Sequence, residues 1–173
     1  MPLAIRWGKQ LRGGQVIDDL TSLIDLAPTL LEALGVARPG SMTGRSLLPR
    51  LLGKSDKPVR DEVVFGIERH FPGSRPDGAG YPSRAIRTDR YLYIENLTPQ
   101  RNPVGDRPGP VWPEDDPTGG FGDTDGSPSK TEICVAARHP ALFIAAFGKR
   151  PAVELYDVKA DPANMNNLAG RPA

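Results

Sequence analysis

SRAIRTDRYLYIENL, Ser83–Leu97, decides how this chain folds. Apolar and polar residues alternate on either side of Thr88-Asp89-Arg90. The period of two predicts strands over Arg84–Arg87 and Tyr91–Asn96 joined in a hairpin. Working outward, EVVFGIERH (Glu62–His70) predicts another strand, with Val63, Phe65 and Ile67 on one side. Turn formers fill Phe71–Pro82 between them, so that segment is a loop. Beyond the hairpin, Arg101–Ser129 holds six Pro and six Gly in 29 residues and is expected to carry no regular structure. Lys130–Phe147 predicts two short helices broken at His139-Pro140, and AVELYDV (Ala152–Val158) a closing strand.

Upstream, SLIDLAPTLLEALGV (Ser22–Val36) is a helix unit complete in itself. Asp25 is placed to cap the first turn, Pro28 falls where no intrahelical N–H is needed, and Gly35 sits where a left-handed stop is wanted. Leu30, Leu31 and Leu34 form the predicted apolar face. A shorter helical turn is expected in RSLLPRLLG (Arg45–Gly53), and a short strand over Leu3–Trp7. The fold class is therefore α+β, a small antiparallel sheet with packed helices, preceded by one strand and one helix.

Composition excludes more than it assigns. The 173 residues carry 22 Lys+Arg against 21 Asp+Glu, a balance that points neither to nucleic acid nor to an anionic membrane. No apolar run approaches the ~18 residues of a membrane span, and MPLAIRWGKQ turns polar too quickly for a secretory signal. Localisation stays unassigned. A single cysteine, Cys134, excludes an internal disulfide, and two histidines leave little for a histidine-based metal site. Asp123 and Asp125 imitate the start of a calcium loop. Gly126 comes too early for one and Glu132 misses the twelfth position, so a solvated acidic loop is expected.

Five motifs in fixed order carry a resemblance: PLAIRW (2–7), LIDLAPTLLEALGV (23–36), MTGRSLLPRLLG (42–53), RAIRTDRYLYIENL (84–97) and ELYDVKADPANMNNLA (154–169). Together they resemble the C-terminal third of a sulfatase of the alkaline-phosphatase-like superfamily. ERHFPG (68–73) with YPSRAIRTDRYLYIENLTPQR (81–101) is similar to the heparan N-sulfatase branch, the N-sulfoglucosamine sulfohydrolases.

The resemblance implies a division at residue 53. Residues 1–53 would close the α/β catalytic domain, and 54–173 would be the C-terminal antiparallel-sheet subdomain with a Pro/Gly-rich loop at 101–129. It also implies that a formylglycine made from Cys-x-Pro-x-Arg, and a calcium ion on Asp and Asn ligands, lie in sequence upstream of this chain. The chain alone is then expected to be inactive, with no catalytic or metal-binding residue of its own. Cys134-Val135-Ala136-Ala137-Arg138 repeats the nucleophile spacing, but in the wrong third and without a carboxylate pair before it.

What the resemblance leaves to this chain is a wall of the substrate pocket. A sulfated, carboxylated sugar favours Arg, whose planar fork grips oxyanions, while His and Glu orient hydroxyls. The candidates are Glu68, Arg69, His70 and Arg84, with Glu68–Arg69 pairing on the surface and His70 capping a turn as the purely structural alternative. Arg87 and Arg90 are expected on a solvated face, Asp25 as a helix cap only, and Asp157 and Asp161-Pro162 in turns. Two other roles stay open: a non-catalytic module that binds sulfated glycan, or a subunit completed by a separate catalytic chain that pairs with the edge at Leu3–Trp7.

Overall fold

The computed structural model describes residues 3–75, 77–106, 119–135 and 139–170. These divide into two compact units, residues 1–63 and 64–173.

In the first unit a 3-10 turn, Leu23–Asp25, runs into α1, Leu26–Ala33, and a one-turn α2 follows at Leu48–Leu51. Gly35 ends α1 at φ 69°, a conformation that costs glycine nothing. It lets the Val36 and Gly35 N–H groups donate back to Leu31 and Glu32 carbonyls at 2.9 and 3.1 Å. Here the apolar face departs from expectation. Leu30 is 62% and Leu34 76% exposed, and the buried side of α1 is Pro28 and Thr29. The helix is turned by its polar anchors. Thr29 Oγ1 donates to the Asp25 carbonyl at 2.5 Å and accepts the Leu47 N–H at 2.8 Å.

Asp25 is more than a cap. It is fully buried, and its carboxylate accepts from the Ser22 and Arg45 N–H groups (3.1 and 2.7 Å) and from both Nε and Nη2 of Arg60. Burial alone would raise its pKa. The Arg60 hydrogen bonds and the two backbone N–H groups outweigh that and hold the carboxyl below the ordinary carboxylate value. One side chain thus ties three stretches of chain. Leu3–Trp7 forms no strand: a ladder needs a neighbour, and none lies beside it among the described residues.

The second unit holds most of a four-stranded sheet in the order β1 (Glu62–Ile67), β2 (Ser83–Thr88), β3 (Tyr91–Asn96), β4 (Val153–Asp157). β2–β3 and β3–β4 are antiparallel, with Ala85 opposite Ile94 and Ile94 opposite Glu154. Opposed residues share a face, so Ala85, Ile94, Glu154, Leu92 and Tyr156 lie on the inner one, while Arg84, Tyr93, Glu95 and Val153 lie on the other. Arg90 lies on a solvated face as expected, and it also donates through Nε to Asp157 at 2.9 Å, with Nη2 2.8 Å from the same oxygen, tying the hairpin turn to the end of β4. Asp157 Oδ1 accepts the Lys159 and Ala160 N–H groups in the turn that follows.

Helices α3 (Pro128–Val135) and α4 (Pro140–Phe147) follow the Pro/Gly segment. That segment is not all loop filler. Phe121 is buried, its ring 4.9 Å from that of Phe147 and 6.0 Å from that of Phe143. It holds φ at 60°, costly for an aromatic residue, and burial of the ring offsets that strain. Among the described residues no helix is long and apolar enough to cross a membrane.

Candidate functional site

β1 ends at Ile67, and the chain then runs off the sheet as Glu68-Arg69-His70. The loop that follows returns against it. A Cβ at Gly80 would stand 2.1 Å from the Glu68 carbonyl oxygen, so only glycine lets the two backbones approach this closely. From Gly80 to Ser83 alternate residues face two different cavities.

One cavity, of about 260 Å³, is lined by His70, Tyr81, Asn96, Asp123, Arg150 and Glu154 among others. Asn96 Nδ2 donates to Glu154 Oε1 at 2.8 Å, and the Tyr156 hydroxyl donates to Glu154 Oε2. Burial, the hydrogen bond to Glu154 and the Glu154 charge push the Tyr156 phenol up to about 12. Tyr81 is raised as well, first by burial and then by the Glu154 charge. Its hydroxyl is buried without a hydrogen-bond partner among the described residues, and so is Asp123 Oδ1. A desolvated donor without a partner, and a carboxylate oxygen met by no hydrogen bond and only by His70 at 3.5 Å, suit a hydroxyl group or a water.

The second cavity, of about 510 Å³ and more open, is lined by Glu68, Arg69, Gly80, Pro82, Thr98 and Arg101. Arg69 Nη1 donates to the Gly78 carbonyl at 2.9 Å and Arg101 Nη1 to the Gly80 carbonyl at 3.0 Å. Thr98 Oγ1 is buried here and unpartnered among the described residues.

The four residues singled out by sequence are thus divided. Glu68 and Arg69 line the open cavity and His70 the smaller one. Arg84 Nη2 donates to Glu68 Oε1, a pair 48% and 68% exposed. His70 Nδ1 stands 3.5 Å from Asp123 Oδ1. Asp123 itself corrects the expectation of a solvated acidic loop. Its side chain is 8% exposed because Arg75 and His70 face it.

Arg75 was not anticipated. It is buried, donates to the Ala79 carbonyl at 3.2 Å and to the Asn102 carbonyl, and pairs with Asp106 at 3.2 Å and with Asp123 at 3.9 Å. It staples the loop after β1 to the start of the Pro/Gly segment. Nothing in FPGSRPDGAGYP distinguishes that arginine from a solvated one. Tyr81 carried a clearer signal, an aromatic residue in a run of turn formers.

Among the described residues no group of three or more His, Cys, Asp or Glu side chains could hold a metal ion. The described side chains therefore offer no such cluster for the calcium ion that the family implies. Cys134 lies in α3, and residues 136–138 of its motif lie outside the described residues.

An antiparallel sheet with helices, and with polar cavities beside β1, is an α+β architecture. The family model described as N-sulphoglucosamine sulphohydrolase, C-terminal, matches residues 1–101, and the chain belongs to that family. An ulvan-active sulfatase from Formosa agariphila is 29% identical over 176 residues, which cover 99% of this chain and 29% of that protein. Human N-sulphoglucosamine sulphohydrolase is 34% identical over 95 residues, 50% of this chain and 17% of the relative. A solved structure described as a 2-O GAG sulfatase aligns over 86% of this chain and 20% of its own, at 24% identity and a TM-score of 0.49. The chain thus spans less than a third of the length of these relatives.

Proposed function

We propose that this chain serves a hydrolase of sulfuric esters or sulfamates on sulfated sugars, and that Glu68, Arg69, His70 and Arg84 form part of its substrate wall. Residues 1–53 then close the catalytic α/β domain, and 54–173 form the subdomain beside the pocket. The observation that carries this reading is the family match over residues 1–101, which contains all four residues. The sulfatase relatives reported above support the sugar class.

The chemistry of the wall follows from its groups. A guanidinium binds sulfate or carboxylate through two parallel N–H bonds, and Arg84 pairs with Glu68, which lines the open cavity. His70, held toward Asp123, offers its other ring nitrogen to a sugar hydroxyl. In the complete enzyme, calcium and formylglycine would supply charge neutralisation and the nucleophile.

Titration of the purified chain with N-sulfoglucosamine tests the wall. Saturable binding weakened by Arg69→Ala and His70→Ala is the expected result, and affinity unchanged in both would remove these residues from it. Assayed alone with an aryl sulfate, with and without calcium, the chain is expected to show no turnover. Turnover lost on Cys134→Ser would put the nucleophile here and overturn the reading.

A further inference from the structure

We propose that the open cavity between Arg69 and Arg101 is an oxyanion subsite that grips a sulfate or carboxylate group through both guanidinium forks. The claim rests on the sulfated-sugar reading above for the identity of the ligand, and on geometry alone for the site.

Each arginine has five N–H donors, and each spends one on a backbone carbonyl, Gly78 for Arg69 and Gly80 for Arg101. Those carbonyls lie two residues apart in one loop, so they anchor both forks and leave the remaining donors for a ligand. Two acidic groups stand at the rim. Glu68 is engaged by Arg84, and Asp77 pairs with Arg101 Nη2 at 3.9 Å, beyond hydrogen-bond length, so it takes none of that guanidinium's N–H donors. Thr98 borders the same space from a turn closed by the Arg101 N–H donating to the Thr98 carbonyl at 3.0 Å, with its hydroxyl buried beneath. Two guanidinium groups bordering one cavity select an oxyanion. Arg101 thereby joins the wall and extends it to a charged substituent of the sugar.

The test is a titration of the ¹⁵N-labelled full chain with sodium sulfate against sodium chloride at constant ionic strength, read by amide shifts. Saturable shifts at Gly80, Thr98 and Arg101 are expected. Arg69→Gln and Arg101→Gln should each weaken sulfate about tenfold, as loss of charged hydrogen bonds predicts. Lys54→Gln should change nothing. Shifts spread over the surface, or undiminished affinity in Arg101→Gln, would overturn the site. So would full affinity in Arg101→Lys, because a point charge would then suffice. N-sulfoglucosamine is the second arm. Sulfate that binds at these amides while the sugar does not would leave the subsite standing and refute the sulfated-sugar reading. Both binding at the same amides supports the two together.

Discussion

The Asp25 centre and the cavities beside β1 are both built from buried polar groups, and they differ in how completely those groups are satisfied. Both Asp25 oxygens are taken, by two backbone N–H groups and two donors of Arg60. Around β1 the Tyr81 hydroxyl and Thr98 Oγ1 are buried and unpartnered among the described residues, and Asp123 Oδ1 accepts no hydrogen bond there, with His70 Nδ1 3.5 Å away. A satisfied network fixes backbone, whereas an unsatisfied one leaves desolvated donors and acceptors over. The first fixes the fold, and the second is where a ligand is proposed to bind.

The widest separation between the two regions should come from Asp25→Ala. It leaves the Arg60 charge buried without its partner, which costs about 3–5 kcal/mol. Urea denaturation checks this, and a loss below about 1 kcal/mol would show that the centre is not the anchor described here.

Acid probes the same group. Because the folded Asp25 pKa lies below the ordinary carboxylate value of 3.8, its contribution is complete above that value and fades as pH falls through the lower folded one. Stability followed from pH 5 down to pH 2 should drop more steeply in the native chain than in Asp25→Asn. Equal slopes would contradict the assignment.

Two hydroxyl deletions set the regions directly against each other. Thr29→Val breaks one bond made and one accepted, and should cost about 1–3 kcal/mol. Tyr81→Phe removes a hydroxyl that has no partner among the described residues, and should be neutral or stabilising by up to about 1 kcal/mol. Equal losses on melting would erase the distinction. The smallest change is expected at the surface. Arg84→Ala opens a largely exposed ion pair and should alter stability by less than about 1 kcal/mol. A larger loss would mean that the pair is structural and would weaken its place in the substrate wall.

The sheet was legible because strand alternation is local. Ser83–Thr88 and Tyr91–Asn96 pair as the period of two demands, and the break at His139-Pro140 separates α3 from α4. The rotation of α1 was not legible. Its leucine stripe obeys helical spacing, yet Thr29 turns inward, where its hydroxyl donates to the Asp25 carbonyl one turn back and accepts the distant Leu47 N–H, while Leu30 and Leu34 stay exposed. Leu3–Trp7 failed as a strand for a similar reason: β structure is made by a neighbour, not by propensity alone.

In the site, Glu68-Arg69-His70 stood out as charged residues at a strand end, where binding groups gather. Their separation onto two cavities did not show, nor did the parts played by Arg75, Thr98 and Arg101.

By itself the sequence settled the elements, their order and the family, since turn chemistry, periodicity and motif order are written in consecutive residues. Tertiary structure alone decided which polar groups are buried and which of those are paired. Asp25 meets Arg60 across 35 positions, and Thr98 reaches the Arg69 cavity from across the hairpin. Desolvation depends on what the rest of the chain places around a group, and no local pattern carries that information.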